Sequence, residues 1–238
     1  MGEYIKVASD GGEMHSYIVL PKKPNGGGIV LASAVWGLGP DLIALADSLA
    51  ELGYAVLAPN LFWRLQPVHA MEYDFTHIGF VTGLADSGSD AEGLVDLRNA
   101  KAELVKRSDV KRVAAMGWCY GGRLVCLIGT EKTFDATIGM YPTYLEKHLH
   151  VAKDIVIPMN IHLPEEERYG TIEHAVEKMV EAFGASPLVQ TYVYPGVNHG
   201  FDFAEPHPHA NHTASRLCDM RIIRYLDAIL VRGEKPSA

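Results

Sequence analysis

One cysteine of this chain stands between two glycines, each two residues away from it. The segment Gly117-Trp118-Cys119-Tyr120-Gly121 reads as Gly-x-Cys-x-Gly, after an apolar stretch over 110–116 and before a helix-like stretch over 123–130. A nucleophile on so sharp a strand-to-helix turn has strained backbone angles, so only very small residues fit two positions away. The turn would lift the thiol above the sheet edge, where the backbone N–H of Tyr120 can bind an oxyanion. The pattern therefore predicts a cysteine nucleophile, and the helix N-terminus favours its thiolate.

The same pattern has a plainer interpretation, in which Cys119 is a buried cysteine on a glycine-rich turn. Free cysteine is among the most buried residue types. A histidine later in the chain favours the catalytic interpretation, because His199 lies in the glycine-bounded loop Gly196-Val197-Asn198-His199-Gly200 after a predicted strand. Loops beyond the carboxyl ends of strands are where α/β folds bind their ligands. His199 is therefore the candidate general base, although a surface histidine is the alternative in a chain with 11 of them.

An acidic cluster lies between the cysteine and the histidine. Glu165, Glu166 and Glu167 follow a predicted strand, so the chain order is cysteine, acid, histidine, as in the triads of α/β-hydrolases. An acid in this place would orient the imidazole of His199 and fix its tautomer. The residues alone leave the three glutamates open, since at least two of them must belong to a solvated acidic turn.

A second histidine group follows in the segment 207–212. His207, His209 and His212 have the spacing H-x-H-x-x-H, which can ligate a metal in principle. Pro206 and Pro208 make the segment extended, so the rings need not converge, and a surface loop is favoured. We expect neither a metal nor an organic cofactor.

The composition limits the class of protein. The chain has 238 residues, 48% hydrophobic and 21% charged, which predicts one globular domain over 1–238. The net charge of -8 without a basic run argues against a nucleic-acid partner, and no apolar run approaches a membrane span. Three cysteines without a C-x-x-C pair and a start without an apolar signal region favour a reducing, cytoplasmic location. A monomer or a homodimer fits these observations.

The remaining pattern alternates strands with helices. It predicts strands over 4–8, 14–20, 28–34, 54–58, 110–116, 136–141, 155–162 and 188–194, and helices over 41–52, 90–107, 123–130, 171–183 and 215–231. Such alternation predicts an α/β fold with a mainly parallel central sheet and helices on both faces. The aromatic, polar and glycine-punctuated segment at about 60–89 is too long for a plain loop and is interpreted as a small cap.

With these motifs, the chain resembles the dienelactone hydrolase (carboxymethylenebutenolidase) family, whose members have the α/β-hydrolase fold and a Cys-Asp-His triad. The resemblance covers nearly the whole chain and runs through the segments 36–39, 52–62, 117–122 and 195–201. It implies that Glu167 is the triad acid, with glutamate in place of the usual aspartate. It also implies an oxyanion hole made by the backbone N–H groups of Val35 and Tyr120.

Two positions depart from the family pattern. A glutamate that holds the resting thiol is typical where this chain has Ala34, and an arginine that binds the substrate carboxylate is typical where it has Phe203. A second such arginine lies in the cap of the family, whereas the segment 65–96 of this chain has no Arg or Lys. Arg64 and Arg123 remain as anion anchors, although Arg64 fits better as a salt bridge at the base of the cap and Arg123 as part of the elbow helix. Glu13 or Asp202 could take over from the missing glutamate.

These observations predict a cysteine-dependent hydrolase of small esters, lactones or thioesters that works through a covalent acyl-enzyme. We expect aromatic side chains near strand ends and in the cap to bind the substrate: Trp36, Trp63, Phe80, Tyr141 and Phe201. A cap without basic residues favours neutral, partly apolar substrates over anionic lactones. The alternative is a ligand-binding or redox-sensing protein that keeps the fold and a reactive thiol but has no activity.

Overall fold

The protein is built around one eight-stranded sheet. The structure is a computed structural model, and it describes residues 1–65, 83, 89–169, 172–203 and 209–234. The strands are β1 (Glu3–Ser9), β2 (Gly12–Val19), β3 (Gly27–Ala32), β4 (Ala55–Pro59), β5 (Arg112–Trp118), β6 (Ala136–Met140), β7 (Met159–Glu166) and β8 (Val189–Asn198).

The strands lie in the order β1-β2-β4-β3-β5-β6-β7-β8. The β1–β2 hairpin joins the sheet through an antiparallel pairing of β2 with β4, and every pairing from β4 to β8 is parallel. The central strands β3, β4 and β6 are buried along their whole length, which explains their continuous apolar sequences. This architecture confirms the prediction of an α/β-hydrolase fold with a mainly parallel sheet.

Helices cover both faces of the sheet. They are α1 (Pro40–Glu51), α2 (Asp90–Arg107), α3 (Tyr120–Leu127), α4 (Ala175–Gly184) and α5 (His212–Leu226), with 3-10 helices at Ile128–Thr130 and Leu145–Asp154. Helices α1 and α5 contribute Leu49 and Ile222 to one core cluster. Helices α2 and α3 contribute Leu97 and Leu124 to the cluster on the opposite face. Helix α4 packs with the second 3-10 helix against β7 in a third cluster.

The element bounds differ from the prediction in several places. The strand expected over 155–162 begins at Met159 and continues to Glu166, and an unpredicted 3-10 helix, Leu145–Asp154, comes before it. The helix expected from 123 begins directly after the cysteine, at Tyr120. The helix expected over 171–183 begins at Ala175. The C-terminal helix continues after Leu226 as a π-helix, Asp227–Val231.

The predicted cap over 60–89 lies mostly outside the described residues, so it stays a prediction. Phe80 and residues 206–208, which include His207, also lie outside them. Within the described part of the chain, no helix combines the length and the apolar character needed to cross a bilayer.

Candidate active site

Cys119 occupies the sharp turn between β5 and α3. Its φ of 54° and ψ of -115° are strained for a residue with a side chain. The turn is fixed on both sides, because the Cys119 N–H donates to the Met140 carbonyl at 3.0 Å and the Cys119 carbonyl accepts from the Arg123 N–H at 3.0 Å. The thiol lies at the carboxyl edge of the sheet and is partly exposed, as the sequence pattern predicted.

The two flanking glycines are required by close backbone approaches. A Cβ at Gly117 would collide with the backbone of Gly121, and a Cβ at Gly121 would collide with the backbone of Ala32 and Ser33. The Gly121 N–H donates to the Ser33 carbonyl at 3.2 Å. The turn therefore packs directly against the end of β3, and the glycine spacing is the condition for that packing.

His199 and Glu167 form a buried pair on the loops that follow β8 and β7. Nδ1 of His199 lies 2.9 Å from Oε2 and 3.0 Å from Oε1 of Glu167. Both side chains are only 8% exposed. Since Nδ1 faces the carboxylate, Nε2 is the ring nitrogen left for the Cys119 thiol, which acts on the pKa of His199. The structure thus brings together the three residues that the sequence singled out.

The carboxylate of Glu167 differs from those of its two neighbours. It accepts the Tyr169 N–H at 2.8 Å as well as the imidazole. Glu165 and Glu166 are exposed at the end of β7, and Glu165 accepts the Gly196 N–H at 2.8 Å. Of the three glutamates, the one in contact with the imidazole is therefore Glu167.

The thiol and the imidazole change each other's pKa. Burial works against ionisation of Cys119, but the positive charge and hydrogen bond of His199, with hydrogen bonds from Thr143 and the Tyr120 N–H, lower the pKa of the thiol. Burial likewise lowers the pKa of His199, yet the charges and hydrogen bonds of Cys119 and Glu167 raise it to about 10. These effects favour a thiolate facing an imidazolium over the neutral pair.

Thr143 is a contact of the thiol that the sequence did not reveal. Its Oγ1 lies 2.9 Å from Cys119 Sγ, and its N–H donates to the Cys119 carbonyl at 3.1 Å. The Thr143 carbonyl accepts from Arg123 at 3.2 Å, and Arg123 is held by Asp90 at 2.9 Å and 3.1 Å. Its position just after β6, the strand next to the elbow strand, is the signal that could have identified it.

The loop after β3 lies beside the elbow. The Ala34 carbonyl accepts the Gly37 N–H at 3.1 Å, which closes a turn around Val35. Val35 and Tyr120 are both buried. Their backbone N–H groups are the candidates for an oxyanion hole, and the pairing of Ser33 with Gly121 holds this loop against the start of α3.

Of the predicted substrate-binding residues, Trp36 and Tyr141 border a cavity beside the triad. The Tyr141 ring packs on the His199 ring with centroids 4.5 Å apart. The Tyr141 hydroxyl donates to Asp202 at 2.6 Å, and Trp118 Nε1 donates to the same carboxylate at 2.8 Å. Asp202 therefore contacts the side chain that packs on the His199 ring.

Trp63 and Phe201 have other surroundings. Trp63 Nε1 donates to Asp96 at 3.1 Å, and the Arg64 guanidinium lies 4.3 Å from its ring centroid. Phe201, expected in the substrate pocket, is instead a core residue with 0% exposure that packs against Tyr141 and Tyr194. The reason is geometric: the loop after β8 turns at Gly200 and directs the next side chain into the sheet.

The two candidate anion anchors are paired with carboxylates. Arg64 lies 2.6 Å from the fully buried carboxylate of Asp96, the salt bridge at the base of the predicted cap that the sequence favoured. Arg123 lies 2.9 Å from Asp90 and belongs to α3. Glu13, one of the two carboxylates considered as substitutes at position 34, is exposed and pairs with Lys6 at 2.9 Å.

A second cysteine–histidine contact lies inside the core. Cys218 Sγ is 3.3 Å from Nδ1 of His162, which also lies 2.8 Å from the Tyr194 hydroxyl. All three residues are sealed from solvent, and burial lowers the pKa of His162 to about 3. Burial also raises the pKa of Cys218, as it raises that of Cys126 in α3. Both thiols stay protonated, and neither can reach a substrate.

The histidines at 209 and 212 do not gather around a metal. His209 Nδ1 bonds the His199 carbonyl at 2.8 Å, and His212 begins α5. Among the residues that the structure describes, no group of three His, Cys, Asp or Glu side chains could hold a metal ion.

Comparison with known proteins agrees with this architecture. The sequence model of the Dienelactone hydrolase family matches residues 14–230. A carboxymethylenebutenolidase of Pseudomonas sp. (strain P51) is 26% identical over 221 residues, which are 92% of each chain. Carboxymethylenebutenolidase 1 of Cupriavidus pinatubonensis is 24% identical over 218 residues, 91% of this chain and 92% of that protein. A solved structure from Klebsiella pneumoniae subsp. pneumoniae, provisionally assigned as a dienelactone hydrolase, shares the fold with a TM-score of 0.81 at 21% identity, over 95% of this chain and 98% of that one.

Proposed function

This chain belongs to the dienelactone hydrolase family, and on that premise we propose that it hydrolyses small carboxylic esters, lactones or thioesters through a cysteine acyl-enzyme. The curated relatives are named carboxymethylenebutenolidases. The nucleophile is Cys119, the general acid and base is His199, and Glu167 orients the imidazole. The reaction needs only these side chains and two backbone N–H groups.

In the first half of the reaction the Cys119 thiolate attacks the carbonyl carbon. A C–S bond forms, and the π electrons move to the oxygen, which the N–H groups of Val35 and Tyr120 stabilise. When the intermediate collapses, the C–O bond of an ester or the C–S bond of a thioester breaks. The His199 imidazolium gives its proton to the departing oxygen or sulfur, and the acyl group stays on Sγ.

In the second half His199, now neutral, accepts a proton from water as the water oxygen attacks the thioester carbon. The new intermediate collapses with loss of the Cys119 thiolate, which leaves the carboxylic acid and the resting ion pair with imidazolium. Glu167 keeps Nδ1 protonated throughout, so that Nε2 carries every proton transfer.

The observation that carries this proposal is the contact of the His199 ring with the Glu167 carboxylate beside a thiol on a strained turn. Nδ1 of His199 lies 2.9 Å from Glu167, and the Cys119 thiol, 2.9 Å from the Thr143 hydroxyl, has a pKa that His199 lowers. A ligand-binding protein with a spare thiol has no need of a carboxylate that fixes the tautomer of a histidine. A redox sensor requires an exposed thiolate but not the oxyanion-binding turn.

The test is to trap the acyl group. The enzyme is mixed with p-nitrophenyl acetate, quenched in acid within the first turnover, and digested for mass spectrometry. We expect an acetyl group on the peptide that contains Cys119 and a burst of p-nitrophenol equal to the enzyme concentration. Turnover without any adduct, or an adduct on another residue, would contradict the covalent mechanism. No turnover with any ester, lactone or thioester would favour the binding or sensing protein.

A further inference from the structure

A cavity of about 320 Å³ lies beside the triad, between the loop after β3 and the helices α1 and α5. Its inner wall is formed by Trp118 and Tyr141, and its outer part by Trp36, Leu45 and Phe203. This volume falls in the range of small-molecule sites. The mixture of aromatic walls and a partly open mouth is typical of a binding cavity rather than a packing defect.

The cavity borders the catalytic residues without including them. Trp118 directly precedes Cys119, and Tyr141 packs on the His199 ring at 4.5 Å. Ala34, on the near wall, directly precedes Val35. A substrate whose carbonyl is at Cys119 could therefore extend a side group of a few bonds into this cavity.

Among the described residues, the charged groups of the lining are all acidic. They are Asp202 and the exposed Asp41 of α1 and Asp219 of α5. None of the Lys, Arg or His residues that the structure describes borders the cavity. The carboxylates act on one another: burial, and then the negative charge of Asp202, raise the pKa of Asp219.

The inner carboxyl group is influenced in two directions. Burial raises the pKa of Asp202, while the hydrogen bonds from Tyr141 and Trp118, and then the charge of His199, act in the opposite direction. The cavity therefore combines aromatic rings with carboxyl groups. Aromatic rings attract organic cations, and ionised carboxylates add to that attraction.

We propose that this cavity holds a positively charged alkylammonium group of the substrate. The inference rests on the proposed ester and thioester hydrolysis. Two residues of the lining make it possible: Ala34 takes up little space in the wall, and Phe203 adds an aromatic ring. Anchoring the cationic end would place the scissile carbonyl at Cys119.

The first experiment compares two thioesters of nearly identical shape. Acetylthiocholine carries a trimethylammonium group, and 3,3-dimethylbutyl thioacetate carries a neutral tert-butyl group in its place. We expect kcat/KM to be about tenfold higher for the cationic thioester, since a desolvated ammonium group is attracted to the faces of aromatic rings. Equal constants, or a preference for the neutral thioester, would overturn the proposal.

Variants connect the preference to the cavity. In Asp202→Asn and Asp219→Asn the ratio of the two kcat/KM values should fall toward one, whatever happens to each constant alone. The control is Asp109→Asn, an exposed residue at the opposite edge of the sheet that changes the net charge equally. A fall in the ratio with Asp109→Asn, or an unchanged ratio in both cavity variants, would show that the preference comes from the overall charge.

Direct binding separates this inference from the proposed function. Tetramethylammonium chloride is titrated into the protein by calorimetry, with sodium chloride as the control, and is then tested as an inhibitor of neutral ester turnover. We expect saturable binding that Asp202→Asn weakens and competitive inhibition. Binding without any ester turnover would support the cation site and reject the hydrolase. Turnover without binding would reject the cation site alone, as would binding that does not inhibit.

Discussion

The hydroxyl of Thr143 lies 2.9 Å from the sulfur of Cys119. Residue 34, in the loop beside the elbow, is an alanine without a carboxylate, so the hydroxyl that contacts the sulfur is a neutral group. A neutral donor can stabilise a thiolate, whereas a carboxylate would repel it. The lowered pKa of Cys119 reflects this contact together with the larger effect of His199.

Replacing Thr143 by Val should slow alkylation of the thiol. The change removes the hydroxyl at nearly constant volume, and a hydrogen bond to a charged group contributes roughly 1.5–3 kcal/mol. We expect the iodoacetamide rate near neutral pH to fall about tenfold and its pH midpoint to rise. The conservative Thr143→Ser should keep both close to the wild type.

The matched control for this change is Thr137→Val. Thr137 is a buried threonine of β6, and its hydroxyl has no hydrogen-bond partner among the described residues. Its replacement should leave the alkylation rate and its midpoint unchanged. An equal loss in both variants would mean that Thr143 acts through the packing of the strand and not through its hydroxyl.

Cys119→Ala should abolish ester turnover with an unchanged circular dichroism spectrum, because the nucleophile is lost and the fold is not. Cys218→Ala and Cys126→Ala should keep the turnover, since both thiols are buried and protonated. Each core variant removes one buried sulfur and should lower the free energy of unfolding by ~1 kcal/mol. Retained activity in Cys119→Ala together with lost activity in Cys218→Ala would mean that the nucleophile is Cys218, the cysteine that contacts His162.

Glu167→Gln should lower kcat by orders of magnitude. An amide can donate to Nδ1 and so stabilise the wrong imidazole tautomer, which in a comparable triad costs about 10⁴-fold. Glu166→Gln is the matched control, because it is exposed and lies one residue away at the end of β7; Glu165→Gln should also have little effect. If Glu166→Gln were the damaging change, the assignment of the acid would be wrong by one residue.

The thiol should be reactive without any substrate. Because the pKa of Cys119 is lowered, the thiolate fraction rises at lower pH than for a free cysteine, so the alkylation midpoint should lie below ~8.5. The pKa of His199 is raised to about 10. Above that pH the imidazolium loses its proton and no longer stabilises the thiolate. Ala34→Glu should raise the midpoint and slow alkylation, because a carboxylate disfavours the nearby thiolate. A wild-type midpoint at or above ~8.5 would contradict the ion pair.

Anionic lactones should be poor substrates. Arg64 and Arg123 are both held by carboxylates, and position 203 is phenylalanine. The test compares a lactone that carries a carboxylate with the methyl ester of the same lactone at equal concentration. We expect the neutral methyl ester to have the higher kcat/KM. Faster cleavage of the anionic lactone would mean that one of the two arginines leaves its partner and reaches the substrate.

The sequence by itself determined the sheet, the elbow and the triad order. The glycine spacing around Cys119 has a structural cause. Backbone atoms of Gly121 fill the space that a side chain at Gly117 would need, and backbone atoms of Ala32 do the same at Gly121. The continuous apolar strands predicted a parallel sheet because each is buried on both faces. Both patterns involve residues that are close together in the chain, so they can be recognised in the sequence alone.

The strand bounds around the acidic cluster were less predictable. The 3-10 helix Leu145–Asp154 was not predicted, and β7 begins only at Met159. The resemblance to the family, and not the local pattern, selected Glu167 among three adjacent glutamates. Only the folded chain shows the contact with His199, because it depends on how β7 and β8 end side by side.

The tertiary structure alone decided which side chains surround the thiol. Thr143 and Asp202 lie 24 and 84 residues from the groups they contact, Cys119 and Trp118, and neither belongs to a recognisable motif. Phe201 was assigned to the pocket from its place beside His199, but the turn at Gly200 directs it into the core. Side-chain direction and long-range contact follow from packing of the whole sheet with its helices, a property that no short segment of sequence contains.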